Sequence, residues 1–127
     1  MPSNASNEDI NWRLIKNSEK GLYCYLIRIN NWAIELQENE FNSLYQLIKK
    51  ITSEFQIIQE DLMDEELINL ELENIPWYGE LEGTKFEWSL RFVFESIQET
   101  RSFEMYWPIP IAENLCFEII NMWESMH

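Results

Sequence analysis

The residues best placed to do chemistry in this chain form one acidic stretch, EDLMDEELINLELE, at residues 60–73. It holds seven carboxylates and neither Lys nor Arg. Clustered carboxylates can bind a divalent cation, pair with a cation of the same chain or attract a cationic partner, and an ordinary solvated turn has the same composition. The stretch follows a helical pattern, so Asp61 and Asp64 would lie at the negative end of a helix dipole and need compensation.

An internal cation is the first alternative to water and salt. Arg91 lies between Leu90 and Phe92 in a predicted strand that has no other base. Guanidinium groups bind carboxylates through two parallel hydrogen bonds. We hypothesise that Arg91 forms a structural ion pair with Asp64 or Glu65.

Metal binding and catalysis have weaker support from the residue types. Asp61, Asp64 and Glu65 could bind calcium, but the stretch has neither the glycine nor the alternating Asp/Asn ligands of an EF-hand loop. Zinc prefers histidine and cysteine ligands, and His127 is the only histidine. The three glycines form no phosphate-binding loop or dinucleotide fingerprint, and there is no nucleophile elbow. We therefore predict a protein that is not an enzyme and uses no metal or other cofactor.

A second feature is the aromatic pair Trp77 and Tyr78, which follows Pro76. Four other tryptophans fall on apolar faces of predicted strands or of a helix and are expected in the core. Trp77 and Tyr78 are predicted to form an exposed aromatic patch, as many protein interfaces do. The candidate partner surface consists of Asp61, Asp64, Glu65, Glu66, Trp77 and Tyr78.

The charge of the chain favours a basic protein partner over nucleic acid. Its net charge is −14, from 23 acidic and nine basic residues, and ten carboxylates without a base lie between Lys50 and Lys85. Proteins that bind nucleic acid use cationic side chains to displace counterions from phosphate, so a negative net charge is unfavourable for this function. No apolar run approaches the roughly 20 residues of a membrane-spanning helix. Two apolar-flanked cysteines, Cys24 and Cys116, fit a reducing compartment, and we predict a cytoplasmic protein.

Hydrophobic periodicity predicts strands and helices in a repeated order. A period of two predicts three strands within residues 12–37, and apolar residues spaced by three or four predict a helix from 38 to about 63. The period of two then returns, with a hairpin turn at Gly83-Thr84. The strand after this turn is predicted to carry one apolar face, made of Phe86, Trp88, Leu90, Phe92 and Phe94. A closing helix follows Pro110. The fold class is therefore α+β, with antiparallel β-sheets and two helices in two strand-strand-strand(-strand)-helix repeats.

The two repeats are predicted to share one domain over residues 11–127. The first sheet-helix unit covers about residues 11–64 and the second about 65–127, and neither can bury its helix face alone. Residues 1–10 are predicted to be a polar N-terminal tail. The chain could complete its core as a monomer or pair its remaining strand edges in a homodimer.

Three blocks of sequence carry a resemblance to a known family. They are NWAIELQENEF (31–41), EDLMDEELINLELE (60–73) and LEGTKFEWSLRFVF (81–94), and they resemble the cyanobacterial and plastid-lineage domain-of-unknown-function family 1818. The resemblance runs from residue 12 to the C-terminus and implies a fold similar to Whirly and coactivator single-stranded-DNA-binding domains. It implies a link to photosynthetic physiology but no established activity. The chain departs from the family at Gln37, where a Thr-like helix cap is expected.

Two functions remain as expectations. The first is an acidic, non-enzymatic protein-interaction module that acts as an assembly or accessory factor. The alternative is a single-stranded nucleic-acid-binding regulator, which rests on fold analogy alone, and a fold does not carry function. The Lys/Gly-containing strand motif of Whirly proteins is absent, and Lys49-Lys50 lie on the predicted helix instead.

Overall fold

The computed structural model describes residues 11–127, so the predicted tail at residues 1–10 lies outside the described residues. The chain divides into two compact units, one that ends at Asn42 and one that runs from Ser43 to His127. This boundary lies inside the first helix and not near residue 64, where the two sheet-helix units are predicted to meet. The organisation as one domain stays a prediction.

The first unit contains a three-stranded antiparallel sheet in the order β1-β2-β3. Its strands are β1 (Trp12–Lys16), β2 (Tyr25–Ile29) and β3 (Trp32–Leu36). Asn30 closes the tight turn after β2 with a φ of 53°, which asparagine tolerates better than most residues. Alternate residues of β2 are buried, and the ring of Tyr25 stacks on Phe41 with 4.0 Å between centroids.

Helix α1 (Glu38–Gln59) begins with a side-chain cap that stands in for the expected threonine. The backbone N–H of Gln37 donates to Oε1 of Glu40 at 2.9 Å, and the N–H of Phe41 donates to the carbonyl of Gln37 at 2.9 Å. The buried Glu40 carboxylate thus satisfies a donor just before the helix, as in a capping box. The departure at Gln37 therefore leaves the start of the helix intact.

The second unit contains a four-stranded antiparallel sheet in the order β4-β5-β6-β7 and a closing helix. Its elements are β4 (Ile68–Asn74), β5 (Trp77–Gly83), β6 (Trp88–Ser96), β7 (Arg101–Trp107) and α2 (Ile111–Met126). The order of strands and helices confirms the predicted α+β class and its repeated pattern. Within residues 11–127, no helix is both long and apolar enough to cross a membrane.

One face of the four-stranded sheet carries the core of the second unit. The buried residues of its strands are mostly aromatic or aliphatic and alternate with more polar neighbours. In α1, Leu47 lies against Gly79, and the ring of Phe55 lies 5.7 Å from that of Trp88. Buried residues of α2 also belong to this core. The helices therefore cover this inner face, and the outward side chains of the strands are left to solvent.

The period of two predicts Phe86 on the same apolar face as Trp88, but Phe86 does not lie on that face. Strand β6 begins only at Trp88, so Phe86 belongs to the turn before the strand and its side chain is 66% exposed. The period of two does not hold at Phe86, because outside a strand the pleat no longer fixes which side of the sheet a residue faces.

Candidate functional site

The outer face of the four-stranded sheet is lined with carboxylates. Alternation along the strands turns six glutamates outward. They are Glu71, Glu73, Glu80, Glu82, Glu95 and Glu104, and we call them the acidic sheet face. Among the outward positions of these four strands, Arg91 supplies the one cation. The register places Glu71, Glu80, Arg91 and Tyr106 in a single row across the sheet.

Arg91 is engaged within this face. Its Nε and Nη2 donate to Oε1 of Glu80 at 3.2 and 3.0 Å, and its Nη1 donates to Oε1 of Glu104 at 3.2 Å. The hypothesis that Arg91 pairs with Asp64 or Glu65 is therefore wrong. Arg91 is directly opposite Glu80 in the β5–β6 register, and neighbouring strands bring opposed side chains into reach of each other.

Further polar contacts hold the carboxylates in place. Nδ2 of Asn69 donates to Oε2 of Glu80 at 2.7 Å and to Oε2 of Glu82 at 2.8 Å. The hydrogen bonds from Asn69 and then Arg91 lower the pKa of the Glu80 carboxyl. Burial and then a hydrogen bond with Glu71 raise the pKa of the Tyr78 hydroxyl. Part of the face is therefore a connected network of side chains, formed by Asn69, Glu80, Glu82, Arg91 and Glu104.

Replacing Glu80 with glutamine is expected to destabilise the protein at neutral pH and to have less effect in acid. The carboxyl has a lower pKa when folded, so its stabilising contribution is present above its ordinary value of 4.5 and is lost as the pH falls through the lowered value. Urea unfolding of wild type and Glu80→Gln between pH 7 and pH 3 would measure this as about a few tenths to 1 kcal/mol that shrinks with acidity. Glu73→Gln is the control: the Glu73 side chain has no hydrogen bond or ion pair within residues 11–127, so the change at pH 7 should be smaller. A Glu80→Gln difference that grows towards acid would contradict the network.

The predicted acidic surface after α1 is exposed but partly used by the chain itself. Asp61, Asp64, Glu65 and Glu66 are all exposed. Nζ of Lys85 donates to the carbonyl of Leu62 at 3.0 Å and lies 3.1 Å from Oδ1 of Asp64. Lys85, and not Arg91, is therefore the internal cation at the end of this helix.

Glu66 also has a local role, since its Oε1 accepts a hydrogen bond from the backbone N–H of Met63 at 3.1 Å. Asp61 and Glu65 have no ion pair or hydrogen bond from their side chains within residues 11–127. In that part of the chain, no group of three or more His, Cys, Asp or Glu side chains could hold a metal ion. The acidic stretch is thus a loop held by Lys85 and Glu66, and its last residues belong to the edge strand β4.

The predicted aromatic patch is wrong for Trp77. Trp77 is only 1% exposed, because it opens β5 on the inner face of the sheet. Tyr78 is the next residue and is therefore on the outer face, half-buried, with the guanidinium carbon of Arg91 5.9 Å from its ring centre. The structure thus separates the two residues and places Tyr78 among the carboxylates of the acidic sheet face.

Sequence reasoning missed most of the acidic sheet face. The spacing of Glu71 and Glu73, and of Glu80 and Glu82, puts two carboxylates on one face of a strand but is normal for any amphipathic strand. The signal that could have found the face is the combined alternation of four consecutive strands. Consecutive antiparallel strands pair as neighbours, so their outward glutamates collect on one surface.

Comparisons with known proteins give a family and a fold. The sequence matches the family described as "Domain of unknown function (DUF1818)" over residues 7–122. A crystal structure of a protein of unknown function from Prochlorococcus sp. NATL2A, described as from the DUF155 family, is similar. The two chains are 33% identical, with a TM-score of 0.81 over 88% of this chain and 93% of that one. No curated protein matches.

Proposed function

Since this chain belongs to the domain-of-unknown-function family DUF1818, no activity comes with its identity, and we propose that it is a non-enzymatic protein-interaction module. In this role it serves as a cytoplasmic assembly or accessory factor, linked to photosynthetic physiology. The observation that carries the proposal is the acidic sheet face, where six glutamates surround one arginine on an open β-sheet surface. The partner is a protein that presents a basic surface.

The distribution of charge supports a cationic partner. Residues 11–42 contain four acidic and four basic residues, whereas residues 43–127 contain seventeen acidic and five basic ones. The excess negative charge therefore lies in the unit that carries the acidic sheet face. Such a field speeds the approach of a basic surface and repels phosphate groups.

The internal contacts of the face also favour binding. Arg91 and Asn69 hold Glu80 and Glu82 in fixed positions, so fewer side chains must be ordered when a partner arrives. Glu71 lies directly opposite Glu80 in the register, and like charges in such a pair destabilise a sheet. A cationic partner would relieve that repulsion.

The nucleic-acid alternative draws on a different observation. Arg13 and Arg28 are directly opposite each other on β1 and β2. Both are exposed, and neither has an ion pair within residues 11–127. Two arginines can neutralise about two phosphates, which gives a salt slope of only about −1.4 for single strands. Oligonucleotide binding with a much steeper slope would favour this alternative.

The test compares two variants with the same change of charge. The face variant combines Glu73→Gln, Glu82→Gln and Glu95→Gln, and the loop variant combines Glu60→Gln, Asp61→Asn and Glu65→Gln. Titration with an arginine-rich peptide at low salt should show binding to wild type that the face variant weakens about tenfold, or about 1.4 kcal/mol. The loop variant should bind nearly as well as wild type.

Affinity capture from a cyanobacterial lysate then searches for the natural partner, with wild type, the face variant and the loop variant as baits. The expected result is a protein retained by wild type and by the loop variant and lost with the face variant. Equal peptide binding by all three proteins, or a loss confined to the loop variant, would exclude the acidic sheet face as the binding surface.

A further inference from the structure

A groove opens on the helix side of the second unit, between α1, the turn before β6 and α2. Its volume is about 380 Å³. A hollow of about 180 Å³ shares Phe86, Trp88 and Glu113 with it, and we call the two together the aromatic groove. Small-molecule sites commonly measure ~300–1,000 Å³. The groove therefore has room for a small organic molecule.

Aromatic rings form the walls and the floor of the aromatic groove. Phe86 from the turn and Phe117 from α2 border it and are 66% and 62% exposed. Trp88 and Phe55 line it from below and are almost fully buried. Two large exposed rings beside buried ones leave apolar area that a ligand could remove from water.

The charges that line the groove are mainly negative. Lys85 is its one cation among the described residues, and it is compensated by the Leu62 carbonyl and by Asp64. Glu113 and Glu87 line the groove or its extension and have no ion pair within residues 11–127. These carboxylates would repel an anionic ligand and attract a cationic one.

The thiol of Cys116 contributes apolar surface to the groove and does not serve as a nucleophile. Cys116 lines the groove and is 3% exposed. Burial raises the pKa of its thiol, so the sulfur stays protonated at neutral pH. A buried neutral thiol behaves as a small hydrophobe, which favours reversible, non-covalent binding.

We propose that the aromatic groove binds a small organic cation with an apolar body, such as a quaternary or protonated amine that carries a ring. The faces of Phe and Trp attract a cation placed within about 6 Å of the ring centre. Phe117 and Trp88 line the groove and supply such rings, Phe86 already has Nζ of Lys85 5.4 Å from its ring centre, and Glu113 supplies the opposite charge. This site is separate from the acidic sheet face, on the other side of the same sheet.

The experiment titrates the ¹⁵N-labelled protein with benzyltrimethylammonium, benzyl alcohol and benzoate and follows the backbone amide signals. The three probes share a phenyl ring and differ in charge. We expect the cation to bind about tenfold more tightly than the alcohol and to shift signals of Phe86, Trp88 and Phe117. Benzoate should bind more weakly than either. Equal binding of the cation and the alcohol, or tighter binding of benzoate, would overturn the proposal.

Paired variants locate the binding. Phe117→Ala and Glu113→Gln should each weaken the cation several-fold, while the controls Ile97→Ala and Glu118→Gln should not. All four side chains are exposed, so the fold should survive, and the spectrum of each variant checks this. The face variant should bind the cation about as well as wild type, so failure of this proposal is distinct from failure of the protein-interaction role. Equal weakening by Glu113→Gln and Glu118→Gln would show charge attraction without a site and overturn the proposal.

Discussion

Replacing Trp77 with alanine is expected to lower the free energy of unfolding by about 3–5 kcal/mol. Trp77 is 1% exposed. Its ring makes edge contacts with Phe92, Phe94 and Phe103 at centroid distances of 6.3, 4.8 and 5.8 Å. Those rings are held on paired strands, so they cannot collapse into the space that the indole leaves. Urea denaturation at pH 7 measures the loss.

The neighbouring residue is the control for this prediction. Tyr78→Phe keeps a ring on the outer face and removes only the hydroxyl that bonds Glu71, so it should cost at most about 1 kcal/mol. The large difference between adjacent positions follows from the pleat, which turns them to opposite faces. A cost below about 1 kcal/mol for Trp77→Ala would mean that the indole is at the surface, as the sequence first indicated.

Trp77 shows why the faces of a strand are harder to predict than the strand itself. Pro76 and a glycine at position 79 interrupt the apolar pattern, so the sequence does not show which face of the strand Trp77 occupies. In the folded chain, Trp77 is directly opposite Asn74, and the β4–β5 pairing fixes its side of the sheet. This pairing involves residues of another strand, so the hydrophobic pattern around Trp77 does not reveal it.

The helices and most strands could be predicted because their patterns are local. Amphipathic spacing marks α1 over six turns, and alternation marks the longer strands. Helix ends were less accurate: α1 ends at Gln59, four residues before the predicted end near 63. The turn that follows is held by Lys85, which is far away in sequence.

The acidic character of the candidate site could be predicted from the sequence, but its position in the fold could not. The excess of carboxylates is evident from composition, and it favoured a cationic partner from the start. Local density singled out residues 60–73, whereas the acidic sheet face collects glutamates from four strands. For the same reason, Arg91 was assigned the wrong partners: its contacts with Glu80 and Glu104 depend on register.

Replacing Gly83 with alanine is expected to cost about 3 kcal/mol or more. A Cβ at this position would lie 2.3 Å from the carbonyl oxygen of Glu87 and 2.6 Å from Cα of Trp88, and both are backbone atoms. The turn is closed by a hydrogen bond from Thr84 N–H to that same carbonyl at 3.0 Å, so relief of the clash must open the turn. Overpacking and an unfavourable φ of +154° each add about 1–3 kcal/mol.

Gly21→Ala separates the two causes of that loss. Gly21 has a φ of +92° and no atom within 4 Å of the added Cβ, so only backbone strain should appear, at about 1 kcal/mol. The excess cost at Gly83, measured by urea denaturation, therefore reports the clash in the turn. This turn carries Phe86 and leads into Trp88, so Gly83→Ala should also shift the amide signals of the aromatic groove. Equal losses at the two glycines would contradict the tight turn and, with it, the placement of Phe86 at the edge of the groove.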